Sequence, residues 1–193
     1  PVGYRVLGVA DIGNDKYDDL VLTDGYSVKI PYVNAINQCQ KPVLSDFNGD
    51  GKTDLLCGAG EYSQTAPLVV HQFEGLPAWP WRQVTSATWG INNLCSQNSQ
   101  YSKIISGDVN GDGFPDLLCE TNGTVRVAFS NGVDAFHVQP TDFANSCYLN
   151  AVVDVDGDGR GDVICESGSA GSRTAEVVLS DGVRGRPKVY WDG

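Results

Sequence analysis

The stretch Asp108-Val-Asn-Gly-Asp-Gly-Phe-Pro-Asp-Leu117 decides the reading of this chain, because it occurs four times. Its copies are Asp46-Phe-Asn-Gly-Asp-Gly-Lys-Thr-Asp-Leu55, Asp154-Val-Asp-Gly-Asp-Gly-Arg-Gly-Asp-Val163 and the divergent Asp11-Ile-Gly-Asn-Asp-Lys-Tyr-Asp-Asp-Leu20. The four align without gaps. Their first aspartates stand 35, 62 and 46 positions apart. The chain of 193 residues thus divides into units of about 48 residues, the length of a four-stranded propeller blade.

The flanks repeat with the loops. A β-rich stretch precedes each one: Tyr4 to Ala10, Pro42 to Ser45, Ser102 to Ser106 and Leu149 to Val153. Apolar residues follow, as in Leu20-Val21-Leu22, Leu55-Leu56-Cys57, Leu117-Leu118-Cys119 and Val163-Ile164-Cys165. An alternating segment comes next: Ser27 to Tyr32, Leu68 to Phe73, Val125 to Phe129 and Glu176 to Leu179. Two of these end in Ser130-Asn131-Gly132 and Ser180-Asp181-Gly182, which are hairpin turns. A last strand is expected at Ala135 to Val138 and at Lys188 to Trp191. No helical period of ten residues or more is present. The sequence predicts an all-β, propeller-like single domain of four four-stranded blades, approximately 1–36, 37–92, 93–144 and 145–193.

Composition narrows the function. A net charge of -11 argues against nucleic acid, which rewards basic residues. Much of the acidity lies in the four loops, which points to cations. No apolar run approaches the roughly 18 residues that cross a bilayer, so no membrane span is expected. The chain begins at Pro1 and has no Met, as a processed or excised segment would.

Side-chain oxygens at alternate positions, glycines for a sharp turn and a final carboxylate make a calcium cage. Loop two offers Asp46, Asn48, Asp50, Asp54 and the Lys52 carbonyl. Loop three offers Asp108, Asn110, Asp112, Asp116 and the Phe114 carbonyl, and loop four Asp154, Asp156, Asp158, Asp162 and the Arg160 carbonyl. The first loop offers Asp11, Asp15, Tyr17 and Asp19, but Gly13 brings no ligand and Lys16 replaces a glycine with a cation. Three calcium ions are expected, with a weaker or empty fourth site. The final acid comes too early for an EF-hand, and strands flank it.

The six cysteines follow the same repeat. Cys57, Cys119 and Cys165 each lie 11 residues after the first Asp of their loop, and Cys39 and Cys147 each lie 7 before it. Pairs Cys39–Cys57, Cys147–Cys165 and, by the remaining pair, Cys95–Cys119 are expected. Such bridges place the chain in an oxidising, extracellular compartment.

The D-x-[ND]-G-D-G-x-x-D-[LV] pattern resembles the FG-GAP/VCBS repeats of integrin α-subunit propellers and related secreted proteins, including fungal lectins. The resemblance implies calcium-stabilised blades. Its members are adhesion receptors, lectins, toxin components and modules of polysaccharide-active enzymes, so it does not settle function. Four units are fewer than the family's usual seven or eight.

Signatures of catalysis are weak. His71 and His137 fall in different units and on different strands, and no HExxH, GxSxG or phosphate-binding loop occurs. Arg160-Gly161-Asp162 spells an adhesive tripeptide, but its Asp is the last acid of a loop. The second unit carries extra length between Gly75 and Asn98, with three of the four tryptophans, Trp79, Trp81 and Trp89. These rings, with Asn92, Asn93 and Gln97 nearby, form the expected ligand contact, against the alternative that they pack inside a blade. Asn122-Gly123-Thr124 is a glycosylation sequon.

The expected function is a secreted, calcium-stabilised, non-catalytic binding module that recognises carbohydrate or an extracellular protein. The alternative is an accessory or catalytic portion of a larger secreted enzyme or toxin. Ring closure leaves two options: four blades closed by side-chain packing in a monomer, or two chains joining four blades each.

Overall fold

Each Asp-rich loop turns one strand back onto the next, so every unit begins as a hairpin. In the computed structural model, which describes residues 3–12, 16–30, 35–58, 69–73, 81–85, 94, 102–169, 172–186 and 189–190, these hairpins extend into four antiparallel meanders. Sheet one comprises β1 (Arg5–Ala10), β2 (Asp19–Thr23), β3 (Ser27–Lys29) and β4 (Ile36–Asn37). Sheet two comprises β5 (Gln40–Ser45), β6 (Asp54–Gly58), β7 (Val69–Phe73) and β8 (Trp81–Thr85). Sheet three is β9 (Lys103–Gly107), β10 (Asp116–Thr121), β11 (Thr124–Ser130) and β12 (Phe136–Val138). Sheet four is β13 (Tyr148–Val153), β14 (Asp162–Ser169), β15 (Ser172–Val178) and β16 (Val189–Tyr190). No helix occurs among the described residues.

Registers match from sheet to sheet. Leu55 pairs with His71, Leu117 with Ala128 and Val163 with Val178, each from the residue after the last loop acid. Phe73, Ser130 and Ser180 therefore hold one structural position. Register shifts mark the first strand of sheets one, two and four, between Val6 and Gly8, Gln40 and Val43, and Leu149 and Ala151.

In sheets two and three the second strand is covered on both faces. Asp54–Gly58 is buried at every position, and so is Asp116–Glu120. Three apolar cores lie between consecutive sheets. Ile12, Val21, Leu55 and Phe73 join sheets one and two. Phe47, Leu56, Leu117 and Phe136 join two and three, with the Phe47 and Phe136 rings edge-to-face at 5.6 Å. Val109, Leu118, Val163 and Val178 join three and four. Burying one such side chain contributes about 1.5–3 kcal/mol. The inner strands β1, β5, β9 and β13 touch in series, and no comparable packing joins β13 to β1 among the described residues. The structure is an open stack of sheets. Ring closure is not among its contacts.

Cys39 is bonded to Cys57 and Cys147 to Cys165, the pairs the spacing predicts. Each bridge ties the entry to a unit's first strand onto its second strand. Cys119 is also disulfide-bonded, while its expected partner Cys95 lies outside the described residues. The strand β8 runs through the tryptophan-rich insert, where the sequence reading placed none.

Candidate metal centres and the joints between sheets

An Asp carboxylate next to free backbone N–H groups folds the chain around itself, and the loops show this position by position. The first Asp accepts from the backbone N–H five residues on: Gly51 to Asp46 at 2.8 Å, Gly113 to Asp108 at 2.8 Å and Gly159 to Asp154 at 3.0 Å. The third residue accepts from the fifth, as Asp50 donates to Asn48 Oδ1 at 3.0 Å and Asp158 to Asp156 Oδ1 at 3.2 Å. The fifth accepts from the seventh, with Lys52, Phe114 and Arg160 donating to Asp50, Asp112 and Asp158 at 2.9 to 3.0 Å. The tight path needs left-handed backbone at the fourth and sixth positions. Glycine supplies it in loops two to four, for example Gly111 at φ 78° and Gly113 at φ 89°.

Loop one keeps two of these features with different residues. Lys16 stands at the sixth position with φ 71°, and its N–H donates to Asp11 Oδ2 at 2.8 Å. The Ile12 N–H reaches Asp19 Oδ2 at 3.2 Å. Asp15 lies outside the described residues.

The last acid of loops two to four is the deepest. Asp54, Asp116 and Asp162 are buried, and their Oδ2 atoms accept from the N–H groups of Phe47, Val109 and Val155 at 2.9 to 3.1 Å. Burial pushes the Asp54 and Asp116 carboxyls up to about 7, and the neighbouring aspartates Asp46, Asp50, Asp108 and Asp112 add to the rise. A site that crowds acids in this way is suited to a hard cation.

The donor sets are oxygen-only, which fits calcium. In loop four, carboxylate oxygens of Asp154, Asp156 and Asp162 lie within 4.8 Å of one another. Asp158 is drawn aside, its Oδ2 accepting from Arg160 Nε at 3.1 Å. In loops two and three the third position is an amide, Asn48 or Asn110, and no three carboxylates meet to that distance among the described residues. Burial of Asp162 also withdraws the Arg160-Gly161-Asp162 tripeptide from adhesive use.

The joints use residues that the sequence reading passed over. Asp116 Oδ1 accepts from the Ser130 N–H at 2.9 Å, and Ser130 Oγ donates to the Phe47 carbonyl at 3.0 Å. One unit later, Asp162 Oδ1 accepts from the Ser180 N–H at 2.9 Å, and Ser180 Oγ donates to the Val109 carbonyl at 2.5 Å. A hydrogen-bonded chain therefore links the last acids of loops four, three and two. The repeated Ser-[Asn/Asp]-Gly turn was the available signal for it. The seventh residue adds its side chain: Phe114 lies against Gly49 and Gly132, where any Cβ would overlap the ring.

Trp79 and Trp89 lie outside the described residues, and Trp81 opens β8, where its backbone pairs with Phe73. Beside the insert, a cleft of about 250 Å³ is lined by Leu94, Cys119, Thr121, Thr124, Arg126 and Asp142. Arg126 Nε donates to Asp142 Oδ1 at 3.3 Å. His71, on β7, is held neutral by burial, its pKa pushed down to about 4.

Together these features define an all-β repeat protein with acidic, cation-suited loops at its sheet joints. A model of the FG-GAP-like repeat matches residues 46–119 and 108–165, and the chain belongs to that family. No curated protein matches it. Among solved structures it is similar to an Agrocybe aegerita lectin described for its specific recognition of non-reducing terminal N-acetylglucosamine. The TM-score is 0.65 at 17% identity, over 98% of this chain and 52% of the lectin chain. It is also similar to the Tc holotoxin pore of Photorhabdus luminescens, with a TM-score of 0.55 at 17% identity, over 95% of this chain and 9% of that one. The chain thus spans about half the length of the lectin chain. At this identity the likenesses are of fold.

Proposed function

We propose that this chain is a secreted, calcium-stabilised, non-catalytic module that binds carbohydrate. The observation that carries the ligand class is the cleft beside the insert. Thr121 and Thr124 bring hydroxyls, Arg126 brings donors and Asp142 an acceptor, beside the buried Leu94 and Cys119. Sugars present paired hydroxyls on one edge, and these polar groups answer them. The likeness to a sugar-binding lectin supports the reading. Trp79, Trp81 and Trp89 of the insert are the sequence's further candidates for the contact.

Calcium, when bound, neutralises the crowded carboxylates of loops two to four and fixes the loops. In loop two its ligands are Asp46, Asn48, Asp50, Asp54 and the Lys52 carbonyl. Loops three and four use the corresponding residues through Asp116 and Asp162. The sugar does not touch the metal. A glycan array with and without calcium tests the reading, alongside Arg126→Ala. Expected are calcium-dependent binding to a defined glycan and its loss in the variant at unchanged Tm. No glycan bound in calcium, or full binding by the variant, would sink it.

A second reading is a repeat region within a larger toxin, supported by the likeness to the Tc holotoxin pore.

A further inference from the structure

The three joints inside the chain are built from the same positions. At the second, the Phe114 ring lies on Gly49 and Ser130 reaches the Phe47 carbonyl. At the third, Arg160 lies on Gly111, its Cγ 3.0 Å from where a Cβ would stand, and Ser180 reaches the Val109 carbonyl. Val152 also closes over Gly107 there, as Leu44 closes over Gly8 at the first joint. Each following sheet therefore covers the second loop residue of the sheet before it. Ile12, Phe47 and Val109 are 6%, 0% and 0% exposed.

Sheet four presents the same socket uncovered. Val155, at the position of those three residues, is 40% exposed, and Val153 is 46% exposed. Gly157, at the position of Gly49 and Gly111, has nothing within 4 Å of its Cβ position. Sheet one presents the matching plug. Tyr17 stands where Phe114 and Arg160 stand and is 77% exposed. Val9 stands where Leu44 and Val152 stand and is 61% exposed. Apolar exposure of this kind, gathered at the two ends of the stack, marks an interaction surface.

We propose that sheet four of one copy packs against sheet one of a second copy, and reciprocally, so that two chains share two further joints resembling those that stack the sheets within each chain. In that joint Val9 of the partner subunit faces Val153. Ala10 and Leu44 hold these two positions at the first joint, where both belong to one apolar cluster. A second copy is the occupant because one chain carries both halves of the joint, and two head-to-tail contacts close a pair. The proposal rests on the joints and not on the ligand reading.

Light scattering after size exclusion, in calcium and without sugar at micromolar protein, measures it. The expected mass is two chains. Val9→Glu alone and Val153→Arg alone should each give one chain, with circular dichroism unchanged because both side chains are exposed. The double variant Val9→Glu/Val153→Arg should return to two chains through the opposite charges. A wild-type mass of one chain, or of more than two, overturns the proposal. So do single variants that stay paired, or a double variant that stays single.

Discussion

Loop one and loop four share two hydrogen bonds of the loop frame and differ in chemistry. In both, the first Asp accepts from the sixth residue's N–H, at 2.8 Å from Lys16 and 3.0 Å from Gly159. In both, the last Asp accepts from the second residue, at 3.2 Å and 2.9 Å. Yet loop four gathers three carboxylates within 4.8 Å, while loop one has Gly13 at the third position and a lysine at the sixth. The difference teaches that the loop's shape and its capacity for a cation are separable. Shape comes from two aspartates and the backbone; the cation needs the third and fifth side chains as well.

The largest effect that tests this separation is removal of metal. Each cation bound only to the folded chain adds about 2.7 kcal/mol at a hundredfold excess over its Kd. Chelator should lower Tm by 10 °C or more if loops two to four are filled, on the scale of roughly 2–4 °C per kcal/mol for a chain of this size. Asp162→Ala should remove one cation and leave the Val155 and Ser180 N–H groups without their acceptor, at a cost of about 3 kcal/mol or more. Asp19→Ala should cost less and leave the stoichiometry unchanged. Titration calorimetry and melting of both variants check the pair. Equal losses of bound calcium would erase the distinction between the loops.

Acidity sharpens it next. In the chain without a cation, Asp54 and Asp116 titrate near 7 rather than 3.8, so the folded state holds extra protons between those values. Their contribution to calcium-free stability is full below about pH 4 and is lost as pH rises through 7. His71 works oppositely: its pKa falls from 6.5 to about 4, so its contribution is full above 6.5 and is lost as pH falls toward 4. Calcium requires the two aspartates ionised. The rise in Tm on adding calcium should therefore be large at pH 8 and shrink steadily toward pH 5, with protons released on binding. Calorimetry in buffers of different ionisation enthalpy measures the release. A calcium effect independent of pH would show that Asp54 and Asp116 do not exchange a proton for the ion.

The serine joints come next in size. Ser130→Ala or Ser180→Ala leaves a buried carbonyl without its partner, at about 1–3 kcal/mol. Because each serine N–H is held by a last loop acid, Ser180→Ala should also weaken calcium binding at loop three, whose Asp116 accepts from the Val109 N–H. The first joint has no serine. Phe73 takes that position beside Ile12 in an apolar core. Calcium titration of Ser180→Ala decides whether the loops communicate, and unchanged affinity at every site would show that the joint is structural alone.

Much of this was legible in the sequence because the repeat has a fixed local cause. Asp and Gly at set offsets make the loops, and apolar runs after them make the buried second strands. Cysteines at constant offsets bridge neighbouring strands. What the sequence hid is relational. Ser130 reads as a turn residue, and only the stacking of sheet three on sheet two brings its hydroxyl to Phe47. Phe114 and Arg160 read as carbonyl donors, since nothing local says that their side chains cross to the preceding loop's glycine. The strand β8 was hidden by the length of its insert, where tryptophans and prolines obscure the alternation that marked the other edges.

The smallest effect isolates loop one. A non-glycine residue at φ 71° costs on the order of 1 kcal/mol that glycine does not pay. Lys16→Gly should therefore raise Tm slightly even in chelator, despite the extra freedom glycine has in the unfolded chain. It also removes a positive charge from the loop. If backbone shape is already in place, adding the missing third ligand completes the donor set, so Gly13→Asn with Lys16→Gly should bind one more calcium than the parent. Lys16→Gly alone should not, because glycine at position 13 still brings no oxygen. Equilibrium dialysis counts the ions. A double variant that gains none would mean that shape and ligand set do not suffice, and that the sheets flanking loops two to four contribute something loop one lacks.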